Sequence, residues 1–362
     1  MSTSAAITGI GCVSAHGIGV ERIWRALLDG EPAPRTRRKR ADGTCGISLE
    51  APAADFLSAS APASGTTRPS RPALLTQIAA EEAWTASGAG AVVDRDRAGL
   101  IVNRNFGQHQ VIAEYYEKLW TKGPSAVSGL QFVQTIANSV LGALAIRFRL
   151  RGPSTMHFGA PSPGAALDLL RDAAADVFLA GGFDELSDYI FEFCYRGGLT
   201  SSSGAGLAGS PYAAASRGLI PSDASVFFVL ERHEYAAARG VKPLAWLNGF
   251  ATVTDRRAVR NPAERDSHDI VEAIRRGLRD AGRQPGDVSC ISGAANGLAA
   301  IDGPELEAIA EVFPMSCRLP PAPPPRRAIK PSTSLPENPC RAAPEWPSRS
   351  VTTCPARTLR SY

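Results

Sequence analysis

The residues that offer the most chemistry lie at Gly152-Pro153-Ser154-Thr155, Met156 to Pro161, and Ser162-Pro163-Gly164-Ala165-Ala166-Leu167. This order reads as strand, tight turn, helix, with Ser162 as the N-cap and Pro163 at the first helical position. A helix N-terminus at a sharp turn concentrates partial positive charge, which suits an anion or a thiolate nucleophile. The turn has no cysteine. Ser162 is the hydroxyl nearby, either a plain N-cap or a nucleophile. His157, close to the turn, is either a strand or interface residue or the base that would serve Ser162.

Outside this turn the chemistry is sparse. The seven cysteines (12, 45, 194, 290, 317, 340, 354) are scattered without a CxxC pair. That spacing predicts no zinc site, no disulfide framework, no metal and no cofactor, and it points to a reducing cytoplasm. Arg35, Arg37, Arg38, Lys39 and Arg40 form one strong basic run, read as a solvated loop or as a docking patch for an acidic partner. No aromatic residues interleave with it, so nucleic acid is not expected as a partner.

The elements that must position these residues alternate between apolar runs and amphipathic ones. Ala5 to Gly11 reads as a buried strand, Val20 to Leu28 as a helix, and residues 31–70 as a long loop without a period. Pro72 to Ser87 reads as a helix, Gly99 to Val102 as a strand, and Val133 to Phe148 as one mostly buried helix. Pro163 to Ala175 is expected to be helical, followed by the strand Val177 to Ala180 and a turn at Gly181-Gly182. Val226 to Leu230 is a continuous apolar strand buried on both faces. Leu244 to Phe250 opens a second block, with a helix over Ser267 to Ala281, a strand over Val288 to Ile291 and a helix over Gly303 to Phe313 capped by Asp302. This alternation implies an α/β protein with a mainly parallel sheet covered on both sides.

The chain has 362 residues, 44% hydrophobic, and a net charge of +4. That charge is unevenly placed. Residues 315–362 hold 8 of the 39 basic and 2 of the 35 acidic residues, leaving 31 basic and 33 acidic in the first 314. The same tail holds 11 of the 28 prolines and none of the 34 glycines, a composition that breaks strands and helices. A shifted reading frame or truncation near residue 314, or a Pro/Arg/Ser-rich extension, would produce it. Ile136 to Ile146 is too short an apolar run to span a bilayer, and the N-terminus lacks a signal-peptide pattern, so no membrane partner is expected.

Several segments together resemble one family. Ala6 to Gly11 with Ser14-Ala15-His16-Gly17, Gly152 to Thr155, Ala173 to Asp184, Gly218 to Glu231, and Asp302-Gly303-Pro304-Glu305 occur in the order found in β-ketoacyl synthases of the thiolase-like superfamily. The resemblance covers roughly residues 5–313. It implies a layered αβαβα fold of two related halves: an N-terminal half at 1–235, a partial second half at 236–314, and a non-family tail at 315–362. It also implies acyl carrier protein as partner, dimerisation, and decarboxylative Claisen condensation by a Cys nucleophile with two His and a Lys.

The departures from the family set the expected function. The nucleophile position falls on Pro161 and the first histidine position on Ala294. Asp223 stands where the family has Glu, and Ala328-Ile329-Lys330 is a remnant of the lysine segment with no Gly-His after it. None of the five histidines (16, 109, 157, 233, 268) falls at a family catalytic position. The body therefore resembles the non-catalytic chain-length-factor or β-subunit relative, paired with an active ketosynthase or with itself. The alternatives are a functional 3-oxoacyl synthase using Ser162 and His157, a non-functional truncated product, and a binding module that docks carrier protein through residues 35–40.

Overall fold

The computed structural model describes residues 4–51, 69–200, 211, 212, 216, 218–255, 257, 258 and 264–313. The tail after 313, with Ala328-Ile329-Lys330, and part of the expected 31–70 loop lie outside the described residues.

The chain opens with β1 (Ala5–Ser14), β2 (Gly17–Ile18) and α1 (Val20–Asp29), followed by β3 (Thr36–Lys39) and β4 (Cys45–Ser48). Next come α2 (Arg71–Ser87), β5 (Ala98–Arg104), α3 (His109–Lys122), α4 (Gly129–Thr135), α5 (Ser139–Phe148), β6 (Ser154–Phe158) and α6 (Ser162–Arg171). The remainder comprises β7 (Val177–Asp184), α7 (Asp188–Arg196), β8 (Ala224–Arg232), α8 (His233–Ala238), β9 (Ala245–Leu247), α9 (His268–Asp280) and α10 (Ala299–Val312).

The main sheet runs β2-β1-β8-β7-β5-β6, with β9 also paired to β1. The β7/β5 and β5/β6 pairings are parallel, while β8 is antiparallel to both β7 and β1 and β9 is antiparallel to β1, so β1 runs in the same direction as β5, β6 and β7. The expectation of a mainly parallel sheet is thus corrected to a mixed one. The reason is that a central antiparallel strand covered on both faces carries the same unbroken apolar run as a parallel one. Helix α2 and α5 cover one face, with Leu75, Ala79, Ala83 and Leu144 against Leu100, Leu179, Phe227 and Val229. Helix α6 covers the other, with Ala166, Leu167 and Leu170 against Ile101, Phe178 and Leu230.

Glycine sets the distance between α2 and β1. A Cβ at Gly11 would land on the Ala79 carbonyl oxygen, and one at Gly9 on the Ala83 carbonyl oxygen. No side chain fits between strand and helix there, so the helix lies directly on the strand. Helix α2 also ties down β1 and the start of α1: Glu82 accepts from Cys12 N–H at 3.0 Å and from Val20 N–H at 2.8 Å.

Five local expectations are corrected. Residues 36–48 form a hairpin rather than loop, because its inner face is made of arginines instead of apolar side chains. Arg38 lies over the Phe191 ring at 5.4 Å and Arg40 over the Tyr195 ring at 4.8 Å. The expected single helix at 133–148 is broken, and α4 and α5 meet at 103°. Buried Gln108 enters the break, and its Nε2 donates to the carbonyls of Gln134 (2.6 Å) and Ile136 (2.7 Å) and to Ser139 Oγ (2.8 Å). Gly181-Gly182 is not a turn but the interior of β7, where a Cβ at Gly181 would strike the Val226 carbonyl.

The remaining two corrections concern the second block. Its first strand, β9, pairs with β1 of the first sheet. Val288 to Ile291 forms no strand, and no neighbouring strand among the described residues offers it backbone partners. Among the described residues the second half consists chiefly of α9 and α10 around Val271, Ala308 and Val312, without a second sheet. Among the described residues, no single helix is long and apolar enough to cross a membrane.

Candidate functional site

Strand β6 and helix α6 bracket the turn that the sequence points to. Pro161, extended at φ −66° and ψ 115°, is the N-cap, and Ser162 is the first helical residue. The expectation of Ser162 as N-cap is corrected on this point. Helix α6 crosses β7 at Gly181, so the Ser162 hydroxyl meets a backbone acceptor there and donates to Gly181 O at 2.5 Å. The side chain is enclosed, with 1% of Ser162 exposed.

His157 lies on β6 opposite Asn103 of β5. Its Nδ1 is buried without a hydrogen-bond partner, and no hydrogen bond joins it to Ser162. A carbonyl oxygen holding the serine proton cannot act as a general base, so the Ser162–His157 pair is not formed in this structure. The turn is anchored instead by Asn103, whose Oδ1 accepts from Ala160 N–H at 3.2 Å.

A cavity of about 370 Å³ opens on this turn, lined by Asn103, Pro161, Ser162, Asp184, Ser225 and Phe228 among others. Asp184 organises its rim. It accepts from the backbone N–H of Asn105 (3.0 Å) and Phe106 (2.7 Å) and from Asn105 Nδ2 (2.8 Å), tying the loop after β5 to the end of β7. A second cavity of about 400 Å³ shares Asp184 and Ser222 and is lined by Phe106, Glu185, Ile190, Leu219 and Asn296. Burial pushes the Glu185 carboxyl up to about 7, opposed by one N–H from Gln110 at 3.4 Å.

Ala294 sits in a loop held by two carboxylates, one phenol and the Ser216 hydroxyl, which donates to the Gly297 carbonyl at 2.5 Å. Its N–H donates to Glu305 Oε1 at 2.9 Å. Buried Asp302 accepts from Asn296, Gly297 and Tyr212 N–H at 2.9–3.0 Å. Tyr212 donates its O–H to Glu305 Oε2 at 2.6 Å and accepts from Ala295 N–H at 3.0 Å. Burial, and after it the Glu305 contact, raises the Tyr212 phenol. Asp302 therefore does not cap a helix beginning at Gly303. Helix α10 already starts at Ala299, and the carboxylate ties down the loop in front of it. Pro304 lies inside the helix.

Asp223 is buried beside Arg71, whose Nε donates to it at 2.7 Å, and it accepts Ala51 N–H at 2.6 Å. Burial raises its carboxyl while Arg71 opposes the shift. Among the described residues no group of three or more His, Cys, Asp or Glu side chains is placed to hold a metal ion.

The basic run divides in two. Arg38 and Arg40 turn inward: Arg38 lies 3.6 Å from Glu50 and 3.5 Å from Asp188, and Arg40 lies 3.1 Å from Asp42. Arg35, Arg37 and Lys39 are exposed. Asn103, Asp184, Glu185 and Tyr212 are site residues that the sequence reading passed over. Their roles come from contacts between segments that are distant in the chain.

The sequence matches the N-terminal domain of β-ketoacyl synthases over residues 3–236 and the C-terminal domain over 244–332. It is 27% identical over 305 residues to 3-oxoacyl-[acyl-carrier-protein] synthase 2 of Rhizobium meliloti (strain 1021), covering 79% of this chain and 72% of that one. It is 26% identical over 323 residues to the tetracenomycin polyketide synthase ketoacyl synthase beta subunit of Streptomyces glaucescens, covering 85% and 76%. Its fold is that of the ishigamide ketosynthase/chain length factor, with TM-score 0.76, 24% identity and coverage of 86% and 78%. With both family domains matched in order across most of its length, the chain belongs to the β-ketoacyl synthase family.

Proposed function

We propose that this chain is a ketosynthase-like subunit of fatty-acid or polyketide synthesis that does not condense by itself and acts as a chain-length-factor-like partner of an active ketosynthase. The observation that carries the reading is Pro161 at the N-cap of α6. Proline has no nucleophilic side chain and no backbone N–H, so it can neither attack a thioester nor donate to an oxyanion. Ala294 supports the same reading, since it offers no imidazole and its N–H is already given to Glu305. The two cavities remain, and with them a wall that can bound a growing chain.

A subunit contact fits the edge of the sheet. Among the described residues β6 is the terminal strand of the main sheet, with Phe158 61% exposed and Ile146 of neighbouring α5 80% exposed. A free strand edge beside exposed apolar side chains favours strand addition by a second subunit, either an active ketosynthase or another copy. Acyl carrier protein, which forms part of the name of the Rhizobium relative, is the acyl donor in this reading, and the cytoplasm is the compartment.

The test is an assay of the purified chain with acyl- and malonyl-carrier protein, alone and with an active ketosynthase. No product is expected from the chain alone, and a changed product length is expected with the partner present. Condensation by this chain alone, abolished by one substitution within it, would overturn the proposal.

A further inference from the structure

The basic run falls on a strand, and a strand sorts its residues by parity. Arg38 and Arg40 point inward onto Phe191 and Tyr195 and are matched by Glu50, Asp188 and Asp42. Arg35, just before β3, and Arg37 and Lys39 within it are exposed. The acidic side chains around the hairpin are committed elsewhere: Glu192 pairs with Arg196 at 3.2 Å and accepts Ala41 N–H at 2.6 Å. Among the described residues none of the three outward cations forms an ion pair.

Opposite them on β4 stand Ile47 and Cys45, which carry no charge. The outer face is thus a row of one sign, held straight by the inward arginines stacked beneath it. Alternate strand residues are about 6.8 Å apart, so the row spans about 13 Å. Acidic residues at i, i+4 and i+8 of an α-helix repeat every ~6 Å and span about 12 Å. Row and helix therefore match in charge and in spacing. The chain's own residues 315–362, with 8 basic and 2 acidic residues, carry the wrong sign to occupy it.

We propose that Arg35, Arg37 and Lys39 form a docking row for an acidic helix on a partner protein. The identity of that partner as a carrier protein rests on the function proposed above. Arg38 and Arg40 take no part in contact and act as the scaffold of the row. Such docking is steered by charge and weakens as salt rises.

Fluorescence anisotropy on the full chain tests this with two labelled probes: a helical peptide bearing Glu at i, i+4 and i+8, and a type II carrier protein. The triple variant R35E/R37E/K39E is compared with R22E/K122E/R283E, which makes the same charge change at scattered exposed sites, after circular dichroism shows both folded. The row variant is expected to bind both probes at least about tenfold more weakly, the scattered variant within about twofold of the parent, and 0.3 M salt to erase the difference. Binding unchanged in the row variant, equal loss in both variants, or no binding of either probe by the parent would overturn the row. Row-dependent binding of the peptide without the carrier protein would keep the surface and remove the carrier-protein reading. Binding of the carrier protein indifferent to the row would do the reverse.

Discussion

The two halves of the molecule are held by different physics. The first half closes around a sheet with apolar side chains on both faces and backbone contacts too close for a Cβ. Among the described residues the second block, from β9 to α10, buries only Val271, Ala308 and Val312 as an apolar cluster of its own. It is joined to the first half by the pairing of β9 with β1, by Leu247 and Phe250 packed on the α6 cluster, and by polar ties: Arg171 to Asp280 at 3.1 Å and to the Asn248 carbonyl at 3.0 Å, and Tyr212 to Asp302 and Glu305. Apolar packing is non-directional and spread over many residues, whereas carboxylate ties are directional and local. The first half should therefore fail as a unit, and the second should come loose one tie at a time.

The sharpest break is Gly11→Val. The added side chain has no room between β1 and α2, so helix and strand must part across the larger core cluster. A loss of about 4 kcal/mol or more is expected, with the whole sheet unfolding at lower urea concentration in a single transition. A variant that kept the parent's midpoint would show that α2 is not seated on β1. By contrast, Asp302→Ala strips the acceptor from three backbone N–H groups at one stroke. It should cost about 3 kcal/mol and raise hydrogen exchange at 294–297 while β1, β7 and β8 stay protected. Equal exchange in both halves would erase the contrast between them.

What could be read from the chain follows the same division. Helices α2, α6 and α9 stand close to where their apolar spacing places them, because each buries a stripe against a neighbour, whereas α1 forms where expected with only Ala26 buried and Trp24, Leu27 and Leu28 exposed. The sheet hairpin at 36–48 escaped because its buried face is built from arginine stems lying over Phe191 and Tyr195, residues more than 150 positions away. Its Asp42-Gly43 turn was the one local signal for it. The break between α4 and α5 escaped because it is held by Gln108, a residue of the preceding segment. At the site, Pro161 and Ala294 were reached by counting along motifs to the family positions. The phenol of Tyr212 was not, since nothing in a Ser/Gly/Ala-rich stretch marks one tyrosine as the clamp of a loop 83 residues later.

Glu185 sharpens the comparison through pH. Its carboxyl, 2% exposed, titrates at about 7 when folded and near its ordinary value, about 4.3, when unfolded. The folded chain binds the extra proton between those values, so this group's contribution is full below about pH 4 and is lost as pH rises through 7. About 3–4 kcal/mol of stability should fall away over that window, and Glu185→Gln should flatten the slope in melts followed from pH 5 to 8. A slope unchanged by the substitution would place the carboxyl in water.

The smallest effect should come from Ser162→Ala, and its smallness is the point. Ser162 sits where the nucleophile turn begins, yet its hydroxyl is spent on the Gly181 carbonyl. Removing it deletes one buried hydrogen bond and leaves one acceptor unpaired, for about 1 kcal/mol. A nucleophilic serine would behave differently, because its loss would leave stability nearly unchanged and abolish acyl transfer. Incubation with an acyl-thioester followed by intact-mass measurement separates the two. With Gly181 holding the proton and no imidazole bonded to Oγ, no acyl adduct is expected on either the parent or the variant. An adduct on the parent that vanishes with Ser162→Ala would mean that the hydroxyl leaves Gly181 and finds a base. The turn at Pro161 would then be a working site rather than a wall.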